Sequence, residues 1–593
     1  MDFDRKTILA FVLIGLILIL VNTDYYQRWL FGGKPIPNAP AAADSSSFER
    51  VPVEPPQAVA VPTVPVPALK SAEEIVRYAG TEWSRVATYT IETPLYVAEI
   101  CTRGAMLRRF QLKNYLSPSR EPVTVFADTV GSPSILLPVG EDTLDTGALI
   151  FSPTGRNLML SGKDSTSLAF AHRLRDGQEI RKTFTFFAAR YDVGLQVEFT
   201  DIRSLTSAYS YAVHWQSPLL STEANIGDDM GHAKVYALVN RDLEQFDVGS
   251  DPVISNRRDD WITTWIAART KYFATAIIPE GTNGNGLQMR GRSHKDAEGT
   301  NIKGYDYSLF MPLHREGGVS QRFKLFIGPL DYGVLKSYHA DLQRMMDLGW
   351  RWVVEPFSVV VLTSFTAVHK VVPNYGLVII IFSILVKLIL NPLTRRSTRS
   401  MKEMQLLQPK IAELREKYAS DPQRLNTETM KLYKEHGVNP LGGCLPTILQ
   451  MPLLFALFVV FRSAIELRQA PFVLWIKDLS APDTLTMLPV VGMPLNVLPL
   501  VMGATMFIQQ KMTVTDPKQK FMLYFMPVMF TFMFYGFPSG LTLYYSLFNI
   551  LSLVQQKYLS KDLPTQLEKK PAKPKGWKRL SLNASLARGR ARK

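Results

Sequence analysis

Cysteine is almost missing from this chain: 593 residues carry two, Cys101 and Cys444, in stretches of different character. A disulfide framework or a Cys-ligated metal centre therefore has no material to build on. The eight histidines are scattered, so no metal site is expected from them either. Signatures of enzyme chemistry are absent as well: there is no Walker A loop, no HExxH helix and no GxSxG elbow. The one glycine-rich stretch, GTNGNGLQMRG from residue 281, lacks the third glycine at the dinucleotide spacing and falls among strand-like runs, so it reads as a hairpin turn. No catalytic residue and no cofactor is expected. Acidic charge is in short supply, with 52 Asp and Glu against 67 Lys and Arg and a net charge of +15. The excess is densest toward the C-terminus, which points to an anionic partner such as lipid headgroups or RNA.

What is present is apolar sequence gathered into runs. A mean hydropathy of +0.01 suits an ordinary soluble protein, but distribution decides the class. The run Thr7 to Val21 follows Arg5 and Lys6 and is trailed by Tyr25, Tyr26 and Trp29. With no close small-x-small cleavage site, it reads as an uncleaved signal-anchor span over 1–31. Residues 32–79 are rich in Pro and Ala and read as an extended linker. From 80 to 332, short alternating runs such as RKTFTFFAARYDVGLQVEF are separated by turn residues. That pattern predicts an antiparallel β-sandwich, either one large double sheet or two small ones, beyond the first span and hence periplasmic. Residues 333–370 read as an amphipathic helix, with Trp350, Trp352 and Phe357 beside Arg344 and Arg351. It suits a membrane interface, and packing on the sandwich fits it equally.

Five further apolar runs fall within 371–558, roughly Tyr375–Leu390, Leu445–Phe461, Met487–Ile508, Phe521–Phe537 and Leu541–Val554. With the first span they predict a polytopic α-helical membrane protein of six spans, and an even number puts both termini on one side. Arg395, Arg396, Arg399, Lys402 and Lys410 follow the second span, Lys511, Lys518 and Lys520 follow the fourth, and the tail over 559–593 is basic. The charge asymmetry makes that side cytoplasmic. Residues 397–437 predict a cytoplasmic helical hairpin, with Asp421 as N-cap, Pro422 at N1 and Gly437 at the C-cap. Met401, Met404, Leu407, Ile411 and Leu414 line one side of its first helix. The tail suits anionic lipid or ribosomal RNA.

Lys387, inside the second span, is the informative residue. An ammonium at membrane depth costs about 3 kcal/mol on insertion scales and marks function by default. Asn391 and Pro392 also suggest a nearby cytoplasmic end, from which a lysine snorkels. Ser383, Lys387 and Asn391 recur at four-residue spacing and share a helix face. In the last span Thr542, Tyr545, Ser546, Asn549, Ser552 and Gln556 recur at three- and four-residue spacing. Two such stripes facing each other would enclose a wet cavity open to the cytoplasm. Alternatively they are polar contacts between packed helices.

The strings NPLGGCLPTILQMPLLFALF at 439–458, RQAPFVLWIKDLSAPD at 468–483 and FPSGLTLYYSLFNILSLVQQ at 537–556 closely resemble those of the YidC membrane protein insertases. The similarity runs through residues 340–560, and the β-rich segment resembles the Gram-negative form with its periplasmic β-supersandwich. The resemblance implies a five-span core in the bacterial inner membrane, no nucleotide or metal, and a hydrophilic groove that receives nascent membrane proteins. Lys387 matches the position where the family usually carries arginine. It retains the charge and loses the bidentate fork. Ser383, Gln450 and Tyr545 match the family's groove, to which the last-span stripe adds Ser546 and Asn549. Met451, Leu454, Phe530 and Met533 match its hydrophobic slide, and Met and Phe suit clients of varied sequence. The ribosome and the Sec translocon are the implied partners, with anionic lipids. The rival reading is a small-solute transporter, which would show repeat symmetry between halves, and none is found. A membrane enzyme would need a convergent acid/base pair, and none is recognisable.

Overall fold

The computed structural model describes residues 86–559 apart from short breaks at 141, 154–157, 161–163, 175–177, 201–205, 207, 314–318, 439–444, 488–493 and 514–519. The expected first span, the linker and nearly all of the basic tail lie outside the described residues. The chain divides into two compact units at Arg351/Trp352.

The first unit is built from β-strands in a five-stranded and a fourteen-stranded sheet. The smaller sheet runs from Pro122–Ser132 through Met106–Leu116 and Tyr96–Cys101 to Thr88–Glu92 in antiparallel register, with Leu158–Met159 added in parallel. In the larger sheet the long strand Val253–Arg269 pairs on different parts of its length with Lys234–Val239, Phe273–Glu280 and Gly284–Lys295. Contacts between the sheets show that they share one core, which settles the open alternative as a single large double sheet. Phe126 of the small sheet meets Trp215 of the large one edge-on at 5.4 Å. Tyr96 donates its hydroxyl to the Phe187 carbonyl across the same gap.

The strand Glu179–Phe187 shows why alternation was readable, because Ile180, Phe184 and Phe186 point inward at period two. The same period carries Lys182 inward, where it is fully buried. Its Nζ donates to the carbonyls of Gly104 at 2.7 Å and Pro133 at 3.3 Å and lies 5.5 Å from the centre of the Phe151 ring. Burial among apolar groups pulls the Lys182 ammonium down to about 7 from the usual 10.5. Between pH 7 and 10.5 the unfolded chain thus holds a proton that the folded one has shed, so this unit's stability rises with pH across that window. Thermal unfolding of the full-length protein, followed by emission of the buried Trp215 and Trp265, is expected to show this rise. Lys182→Met is expected to flatten it.

The single amphipathic helix expected over 333–370 is not continuous. Helix α2 (Tyr332–Ser337; α1 is Ile226–His232) is capped by Asp331, whose Oδ1 accepts from Val334 N at 2.9 Å. A short 3-10 turn follows at Leu342–Met346, flanked by left-handed Asp341 and Asp347 (φ 56° and 55°), which interrupt any regular helix. Leu342, Met345 and Met346 are buried there. The Arg269 guanidinium donates to Met345 O, and the Trp265 indole to Ala340 O, both at 2.7 Å. This part therefore packs on the sandwich. Only α3 (Glu355–His369), in the second unit, is a regular helix of some length.

The second unit continues with α4 (Tyr375–Lys417), α5 (Pro422–Glu435), α6 (Leu445–Ser463), α7 (Val497–Thr513), α8 (Lys520–Phe534) and α9 (Ser539–Leu559). Among the described residues α4 is the one helix long and apolar enough to cross a membrane; Gln450–Ser463 and Leu523–Phe534 are shorter apolar stretches. Two boundaries differ from expectation. The span and the first hairpin helix, read as separate, form one 43-residue helix that carries Pro392 and Pro409 internally. Each proline removes a single backbone donor, and the chain on either side keeps its helical pattern. The run expected at Met487–Ile508 begins instead with a hairpin, Thr484–Met487 paired with Pro494–Asn496, and turns helical at Val497. The expected caps of α5 are present: Asp421 Oδ1 accepts from Arg424 N at 3.0 Å, and Gly437 has φ 64°. Leu407 and Ile411 of α4 cluster with Val438, with Met404, Leu432 and Tyr433 packed around them.

Two close approaches fix the packing of this unit. A Cβ on Gly376, at the start of α4, would fall 1.9 Å from the Phe472 ring. One on Gly503 would fall 2.0 Å from Thr531 Oγ1, where α7 meets α8.

Candidate functional site

Helices α4 and α9 pack against each other, and polar side chains meet at their contact. Lys387 is three turns into α4, about 18 Å from Tyr375 by helix rise, and only 9% exposed. Its Nζ donates to Ser552 Oγ of α9 at 2.6 Å and lies 4.2 Å from the centre of the Phe548 ring. One turn further along, Asn391 Oδ1 accepts from Gln555 Nε2 at 2.6 Å. The lysine thus turns inward between two helices, and the snorkelling geometry is not adopted. Among the described residues no carboxylate pairs with Lys387; a hydroxyl and an aromatic face hold its charge.

Local sequence explains the arrangement. Ser383, Lys387 and Asn391 share one α4 face through their four-residue spacing. Ser383 is fully buried and returns its hydroxyl to Ile379 O at 2.7 Å, which satisfies it without a cross-helix partner. Ser552 likewise donates to Phe548 O at 2.7 Å, leaving its lone pairs for the ammonium. Beyond Lys387 toward the start of α4, Phe382 lies 6.4 Å from Tyr544, and Tyr544 stacks on Phe548 at 5.9 Å. Gln450 of α6 is half-buried beside Tyr544. The Tyr544 hydroxyl is turned to the Gln450 side chain, and Gln555 Oε1 is buried without a hydrogen-bond partner among the described residues.

The α9 face turned to α4 is therefore Tyr544, Phe548, Ser552 and Gln555. Tyr545 and Ser546 point elsewhere: Tyr545 meets Phe534 edge-on at 5.3 Å, and Ser546 donates to Leu498 O of α7 at 3.3 Å. Asn549 is half-buried. Composition hid Phe548, because an aromatic on a membrane helix reads as apolar bulk. Its four-residue step to Ser552 was the available signal. Among the slide residues Met451 is 39% exposed, while Leu454, Phe530 and Met533 are half-buried. Phe530 lies 6.1 Å from Phe534 on the same helix. On α8 the outermost stripe is instead Tyr524, Val528 and Phe532, at 61%, 70% and 82% exposure.

Comparison with known proteins agrees with this architecture. Residues 367–566 match the family model described as 60Kd inner membrane protein, and residues 88–359 match that of the YidC periplasmic domain. The membrane protein insertase YidC of Chlorobium luteolum is 38% identical over 86% of this chain and 89% of its own length. That of Chlorobaculum tepidum is 35% identical over 94% of each. A crystal structure of an active YidC insertase with its first transmembrane domain resolved aligns over 81% of this chain and 94% of its own, at 20% identity and a TM-score of 0.34. With identity above a third sustained across both the β-rich unit and the helical one, the chain belongs to the YidC membrane protein insertase family.

Proposed function

We propose that this protein inserts and folds integral membrane proteins from the cytoplasmic side of the inner membrane, receiving the polar flank of an incoming segment at Lys387. The observation that carries the reading is the buried ammonium, held between α4 and α9 with no carboxylate of the described residues against it. Such a charge is kept at membrane depth where it has work to do with an arriving anion. Ser383, Asn391, Gln450, Tyr545, Ser546 and Asn549 would line or support a hydrophilic groove there. The buried Gln555 carbonyl, without a hydrogen-bond partner among the described residues, adds a site for water. A hydrated groove shortens the distance over which polar groups lose hydration. The apolar part of the client would leave past Met451, Leu454, Phe530 and Met533 into lipid. Its burial, at about 25 cal/mol per Å², supplies the driving force, and no covalent step is needed.

In this reading there are six spans, both termini are cytoplasmic and the β-rich unit is periplasmic. The basic tail and cytoplasmic loops meet the ribosome and anionic lipids, and the protein works alone or with the Sec translocon. Crosslinking tests it. A photoreactive residue at 383, 387, 530 or 533 is expected to capture ribosome-bound nascent membrane proteins and not soluble ones. Equal capture of both, or of neither, would return the polar site to the small-solute transporter reading.

A further inference from the structure

The segment joining α6 to α7 closes one end of the helical unit. Phe472 packs on Gly376 at the start of α4. Asp483 accepts from Val497 N and Leu498 N at the start of α7. Ser539 and Gly540, at the start of α9, donate their backbone N–H groups to Ala481 O and Leu479 O. The inner side chains, Ile465, Leu467, Ile476 and Leu479, are buried. The outer ones are also apolar: Leu474 is 84% exposed, and Val473, Leu485 and Met487 are about half exposed.

Leu474 is held at φ 58°, in the left-handed region, where a branched side chain is strained and glycine or asparagine would sit freely. Bonds from Phe472 N to Ile476 O and from Ile476 N to Val473 O enforce the turn that projects it. Nothing in water favours a strained leucine at a projecting tip, whereas hydrocarbon does. Lys477, exposed on the same loop, has a stem long enough to carry its charge to lipid phosphates.

We propose that this rim, Val473, Leu474, Leu485 and Met487, dips into the bilayer leaflet at this end of the helices and anchors the segment to the membrane interface. The inference rests on reading this unit as membrane-spanning, and the test separates the two. Full-length protein carrying Cys101→Ser and Cys444→Ser receives a single cysteine by Leu474→Cys, Leu485→Cys, Lys477→Cys or Leu388→Cys. Each is spin-labelled and placed in nanodiscs of phosphatidylethanolamine and phosphatidylglycerol. Leu388, 67% exposed in the last turn of the apolar part of α4, is the lipid reference.

At 474 and 485, collisions with oxygen are expected to outweigh those with a water-soluble nickel chelate, as at 388, and the ratio reverses at 477. A water-like ratio at both 474 and 485 with a lipid-like one at 388 overturns the anchor alone. Access by neither collider at 474 and 485 means that protein covers the rim, and it overturns the proposal too. A water-like ratio at 388 overturns the membrane-spanning reading beneath it. Label at 485 keeps the test intact where substitution at the strained Leu474 disturbs folding.

Discussion

Lys387→Glu is expected to abolish insertion of clients whose translocated flank is acidic, while Lys387→Arg retains most of it. Two unit charges about 4 Å apart at an effective dielectric of 20 interact by about 4 kcal/mol, so losing that attraction alone weakens capture by roughly a thousandfold. Reversing the sign adds repulsion on top. The glutamate would also face the negative π-surface of Phe548, which now attracts the ammonium. Lys387→Ala removes the attraction without the repulsion and should fall between the two. Ser552→Ala removes one hydrogen bond to the charged group, and its effect should stay within about 3 kcal/mol. Protease protection of acidic-flanked and neutral-flanked clients, in cells depleted of their own insertase, measures all four variants. Lys387→Glu accumulating normally and inserting acidic-flanked clients at the unaltered rate would end the charge role.

Most of the architecture was legible because the local periods are strict. Strands that bury one face alternate, and the strand from Glu179 to Phe187 does so without a break, Lys182 included. The polar step along α4 was equally plain, and its meeting with α9 followed from the absence of any other way to shield it from lipid. The failures share a cause. Asp341 and Asp347 have ordinary helix-compatible side chains, and only their left-handed backbone reveals the break. Pro392 reads as a stop, yet α4 runs through it, since the loss of one bond does not outweigh the packing on either side. Around α9, spacing predicted a polar stripe but not its rotation. Tyr545 and Ser546 turn toward α8 and α7, leaving the lysine to Phe548 and Ser552. A helical wheel fixes which residues share a face, and tertiary packing decides what that face meets.

The cap of α7 was out of reach for the same reason, and it carries the second large expected effect. Asp483 lies 14 residues before Val497 in sequence, too far for any capping pattern, and only 3% of it is exposed. Its Oδ2 accepts from Val497 N at 2.9 Å, from Leu498 N at 2.7 Å and from the Trp475 indole at 3.1 Å. A carboxylate at a helix N-terminus satisfies donors that have no partner within the helix and complements the helix dipole. Asp483→Ala leaves three donors unmet, that of Leu498 buried and those of Val497 and Trp475 partly so, and is expected to cost about 3 kcal/mol. Asp483→Asn keeps a neutral acceptor and should cost about a third of that. The loss spreads beyond the cap, because Ser546 of α9 is bonded to Leu498 O in the first turn of α7. A frayed α7 start therefore loosens the α9 helix on which Ser552 meets Lys387. Thermal unfolding in detergent should rank wild type, Asn and Ala in falling order, with insertion activity following the same order. Loss of the indole bond should also shift Trp475 emission in the Ala variant. An Asp483→Ala protein that melts with wild type and inserts at its rate would show that α7 needs no cap from this segment.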